Sequence, residues 1–125
     1  MQHFMAAHVI TSFRDLDVWK LSMDLVDVVL AATKEMPRDE FDLRKQIRRA
    51  AVSIPANIAE GYRRKKKRPA YQNHVSIAMG SQGKLETEIE IAMRNSFIGP
   101  ERSRSVLDLN HRVGAMLYRL HDSLD

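Results

Sequence analysis

Between Ser12 and Lys34 the apolar residues fall into two rows, each with the alternating three- and four-residue spacing of a helix face. Leu16, Trp19, Met23, Val26 and Leu30 form the first row; Val18, Leu21, Leu25, Val28 and Ala32 form the second. At about 100° per residue, a shift of two positions sets the rows on nearly opposite sides, so this helix calls for apolar neighbours on both. The polar seam Asp17, Lys20, Asp24, Asp27 and Lys34 is left as its wet side. Ser12 or Asp15 can cap its start, and Pro37 ends it.

Asp39 is a candidate cap for a second helix running through Leu43, Ile47, Ala50, Ile54, Ile58 and Gly61. Pro55 interrupts that run at a cost of about 3 kcal/mol, yet the apolar spacing stays in phase across it, which predicts one continuous helix kinked at Pro55. Ala50, Ala51, Ser53, Ala56 and Ala59 permit close approach of a neighbouring backbone. After six basic residues, Pro69 suits the first turn of a third helix carrying Tyr71, Val75, Ala78, Leu85, Ile89 and Ala92. Gly80 and Gly83 are expected as small contact points in its middle, and the helix should end near Ser96, before Gly99-Pro100. Val106, Leu109, Val113, Leu117, Leu120 and Leu124 mark a fourth. Short connections between long helices predict an all-α, up-down antiparallel four-helix bundle over residues 13–125, preceded by a flexible leader, residues 1–12.

Composition narrows the chemistry. A chain of 125 residues suits one domain with one core. Having no cysteine, it can form no disulfide framework, thiol nucleophile or Cys-ligated metal site, so a cytoplasmic protein is expected. No apolar run reaches the roughly 18 residues of a membrane helix, and MQHFMAAHVITSF lacks the basic start of a signal peptide. The net charge of +4 is unevenly placed: residues 44–68 hold ten basic residues and one acid, Glu60, while the rest of the chain holds ten basic and fifteen acidic. An acidic body with one basic segment is the footprint of a polyanion contact.

The segments SIPANIAEGYRR (Ser53 to Arg64) and IAMGSQGKLETEIEIA (Ile77 to Ala92), with FRDLDVWKLSMDLV and LRKQIRRAAVSIPANIAEG, resemble the four-helix-bundle family of 23S rRNA intervening-sequence proteins. Its relatives include accessory proteins of diversity-generating retroelements. The resemblance covers most of residues 13–124. It implies assembly into a homopentameric barrel with a basic surface, which retroelement relatives use to engage nucleic acid and a reverse transcriptase.

The candidate nucleic-acid contacts are therefore Arg44, Lys45, Arg48 and Arg49, and, about 20 Å further along the second helix, Arg63, Arg64, Lys65, Lys66, Lys67 and Arg68. Tyr62 and Tyr71 flank the longer run, where half-buried anchoring outweighs base stacking. The row Val18, Leu21, Leu25 and Val28 is expected at an interface between copies. Ser53, Asn57 and Glu60 share one face of the second helix, and Ser81 and Glu88 one face of the third; a polar network joining them is expected to fix register, with Asn57 and Ser81 satisfying each other.

No enzyme is expected, because no histidine is placed to activate Ser53 or Ser81, no Glu-x-x-His occurs, and His3, His8, His74, His111 and His121 show no metal-binding pairs. No cofactor follows from this sequence either. The expected function is a non-enzymatic, sequence-independent contact with RNA or DNA phosphates. The alternative is an interaction scaffold whose basic rim docks an acidic or nucleoprotein partner.

Overall fold

The computed structural model describes residues 9–125. The first eight residues of the expected leader, with His3 and His8, lie outside that range. Ser12 belongs to the folded part: its hydroxyl accepts from the Arg14 N–H while Asp15 reaches back to the Ser12 N–H, a capping box around a 3-10 turn, Phe13–Asp15. Four α-helices follow: α1 Asp17–Thr33, α2 Phe41–Arg63, α3 Arg68–Arg94 and α4 Pro100–Ser123. No strand occurs among the described residues.

Asp39, expected as the cap of α2, instead sits inside a 3-10 turn, Arg38–Glu40, and α2 begins behind it with no side-chain cap. α2 passes through Pro55 as one helix, and Ile47, Ile54 and Ile58 stay on the same buried face on both sides of it. α3 terminates at Arg94, and Ser96 takes a left-handed backbone (φ 60°) that turns the chain towards Gly99.

Connections of a few residues force neighbouring helices antiparallel. Paired contacts agree: Gln82 meets Asn110 while Gln72 meets His121, so advancing along α3 means retreating along α4. Each helix packs on its two neighbours round a square, α1 and α3 each lying against both α2 and α4. The core between them is Leu25, Val29, Ile47, Ile54, Ile58, Val75, Leu85, Ile89, Val106, Val113 and Leu117.

α1 corrects the expected division of its rows. Its core row is Val18, Ser22, Leu25, Val29 and Ala32, so Val18 and Leu25 are buried inside one chain and unavailable to another copy. Leu21 and Val28 are half-buried on the flank facing α4, where Val28 lines a cleft with Pro100, Ser105 and Val106. The face left open is the other one: Met23 and Leu30 are exposed, beside half-buried Trp19 and Val26, on the side that meets α2. Gly80 and Gly83 are not packing contacts, since nothing lies within 4 Å of a Cβ added at either. Close approaches are instead at Gly61, where an added Cβ would stand 2.9 Å from the His74 Cβ, and at Gly114, where it would stand 2.8 Å from Gln82 Nε2.

Candidate nucleic-acid interface

The up-down order fixes which charges meet. The start of α1, the end of α2, the start of α3 and the end of α4 share one end of the bundle, and this end holds the whole run Arg63 to Arg68. It also holds Arg14, which the sequence reading missed although the alternation of helix directions places it there. Phe13 is the link: the Arg14 guanidinium lies 4.6 Å and the Arg63 guanidinium 5.6 Å from its ring centre. Tyr62 and Tyr71 are buried anchors in edge-to-face contact at 6.3 Å, and the Lys65 ammonium stands 3.8 Å over the Tyr62 ring. Burial, with the neighbouring Tyr62 second, pushes the Tyr71 phenol above its ordinary pKa. A shallow concavity between α2 and α3 is lined by Tyr62, Ala70 and the cations Arg63 to Lys67.

The ten basic residues do not serve alike. Arg68 turns away from the run and clamps the end of α4, donating from Nε to the Leu124 carbonyl (3.1 Å) and from Nη2 to that of Ser123 (2.9 Å). Arg48 does the same for α1, donating to Thr33 Oγ1 at 2.8 Å and to the Leu30 carbonyl at 3.4 Å. Both satisfy groups at a helix C-terminus, where a cation is favoured. Arg44 reaches the Pro37 carbonyl at 3.4 Å, and Lys45 lies over the Phe41 ring. Arg64 pairs with Glu60 at 3.3 Å. Arg49, Lys66 and Lys67 are exposed and have no side-chain partner among the described residues.

The two clusters lie at opposite ends. Around Arg44 to Arg49 the fold gathers residues 34–49 and 86–108, which together carry nine basic and nine acidic side chains. Residues 13–20, 60–68 and 117–125, at the other end, carry nine basic and five acidic. Only the second end presents a cationic surface.

The expected polar network exists in altered form. Ser53 Oγ and Ser81 Oγ bond at 2.7 Å, and Asn57 Nδ2 donates to the Ser53 carbonyl (2.9 Å) and hydroxyl (3.1 Å). Asn57 Oδ1 meets Nδ1 of His74, not Ser81, at 3.1 Å, and His74 Nε2 lies 3.6 Å from Glu60 Oε2. His74, weighed in the sequence only as a metal ligand, joins the network because it stands seven residues before Ser81 and so on the same α3 face. Glu88 is outside the network: it is buried, its Oε1 has no partner, and burial, slightly offset by Lys84, raises its carboxyl pKa.

No group of three or more His, Asp or Glu side chains able to hold a metal occurs among the described residues. No described helix is long and apolar enough to cross a membrane.

Fold and surface together define a class: an all-α four-helix bundle with one cationic end. The chain belongs to the 23S rRNA-intervening sequence protein family, whose pattern it matches over residues 14–119. A similar solved structure is a protein of unknown function from the S23 ribosomal protein family of Bacteroides thetaiotaomicron, 24% identical, with a TM-score of 0.77. The match covers 83% of this chain and 97% of that one. No curated protein matches the chain.

Proposed function

We propose that the protein is a non-enzymatic bundle that contacts nucleic-acid phosphates with its cationic end, without reading bases. The observation that carries this reading is the gathering of Arg14 with Arg63 to Lys67 at an end of the bundle whose nine basic side chains outnumber its five acidic ones. The rings at this end support it as well. Phe13 is overlaid by Arg14 and Arg63, and Tyr62 by Lys65, so both rings hold cations in place at this end. Arg68 and Arg48 are withdrawn from the contact set because they cap helices, and Arg44, Lys45 and Arg49 become secondary because acids surround them.

The reading includes self-association. Met23 and Leu30 of α1 and Phe41 and Val52 of α2 are exposed apolar side chains on the α1–α2 side of the bundle, an uncovered face suited to a second copy. Repetition of a weak phosphate contact within an assembly multiplies its strength through effective concentration. Binding of structured RNA and duplex DNA over a salt series tests the function. Six to ten contacts would lose on the order of a thousandfold in affinity between about 50 and 200 mM salt. Undetectable binding to both at low salt removes this reading and leaves the acidic-partner scaffold.

A further inference from the structure

Glu60 is the one acidic residue between positions 44 and 68, and it stands where the cations need to be free. A single carboxylate oxygen, Oε2, lies 3.3 Å from Arg64 Nη2 and 3.6 Å from His74 Nε2. His74 is itself fixed. Asn57 spends its Nδ2 on Ser53, so its Oδ1 is the acceptor that faces His74 Nδ1, and the imidazole is held with Nε2 towards Glu60. The Cβ of His74 is close against Gly61, whose lack of a side chain lets α3 come near enough to α2 for these contacts.

We infer that Glu60 is a built-in competitor for phosphate: it occupies Arg64 in the unbound protein, and an incoming backbone phosphate must displace it. This rests on the proposed nucleic-acid contact and names the residue that sets its strength. Arg64 is more than half exposed and its pair with Glu60 is an ordinary surface i, i+4 contact, so phosphate can take it over. Glu60 also distinguishes Arg64 from Lys66 and Lys67, which are exposed and without side-chain partners among the described residues.

A four-way comparison separates competition from a general change of charge. The full chain, Glu60→Gln, Arg64→Gln and the double variant are titrated with a mixed-sequence RNA duplex at several salt concentrations, after circular dichroism confirms equal helicity. Competition requires Glu60→Gln to tighten binding about three- to tenfold at low salt with the log–log salt slope little changed, because the Arg64–phosphate contact forms in both chains once Glu60 is displaced. In the Arg64→Gln background the same change must gain far less, because no arginine is released. An equal gain in both backgrounds, or no gain in either, overturns the competition while leaving the phosphate reading intact. Absence of binding by the unaltered chain overturns both.

Discussion

Gly61 and Gly80 both lie inside helices, and a methyl group added to each should act in opposite directions. At Gly61 it would meet the His74 Cβ at 2.9 Å and the Tyr71 ring at 3.0 Å, pushing α3 off α2. Gly61→Ala should destabilise by about 1–2 kcal/mol after the helix-propensity gain is counted. Nothing lies within 4 Å at Gly80, so Gly80→Ala should stabilise by about 0.5–1 kcal/mol. Urea midpoints of the two variants check both signs. Glu88 adds a pH effect at the same scale. Burial raises its pKa in the folded chain, so the fold binds that proton more tightly than the unfolded chain does. Its contribution is therefore fully present below the ordinary glutamate pKa and is lost as pH rises towards the raised value. Glu88→Gln should flatten the fall of urea midpoint with pH in that window; an unchanged slope contradicts the assignment. Neither residue's environment could be read from sequence: a buried glutamate and an exposed one differ only in what the neighbouring helix puts opposite them.

Among the elements, punctuation was the readable part. Pro37, the basic run before Pro69, and Gly99-Pro100 separate the helices that form, and phase across Pro55 identifies a single α2. The rows of α1 were misassigned for a physical reason. Its core row contains Ser22, a polar residue that breaks the apolar spacing, yet Ser22 can be buried cheaply because its hydroxyl bonds the Trp19 carbonyl of its own helix at 2.8 Å. Val18 and Leu25 therefore looked like part of a row through Leu21 and Val28. The uses of Arg48 and Arg68 were hidden likewise, since capping a distant helix leaves no trace in local spacing. Arg68→Ala should lower stability by about 1 kcal/mol, from loss of two charge-assisted hydrogen bonds to α4, with little effect on nucleic-acid affinity. A large loss of affinity with unchanged melting would return Arg68 to the contact set.

For the whole molecule, the order of the helices converts one basic segment into two unequal ends, and that conversion needs the fold. The sequence shows ten cations in twenty-five residues; only the antiparallel arrangement shows that the acids of residues 34–49 and 86–108 neutralise one group while Arg14 joins the other. Self-association belongs to this scale too. Light scattering should give a mass of several chains, and Leu30→Glu with Val52→Glu should reduce it to that of one chain without loss of helicity, because both side chains are exposed. A single-chain mass for the unaltered protein would contradict the uncovered-face argument. The central claim is that one end carries the contact, and charge reversal at each end tests it most directly. Reversing Lys65, Lys66 and Lys67 should abolish binding to an RNA duplex at low salt, whereas reversing Arg44, Lys45 and Arg49 should weaken it only slightly, both with unchanged circular dichroism. Equal losses from the two reversals, or survival of binding after the first, would contradict the account.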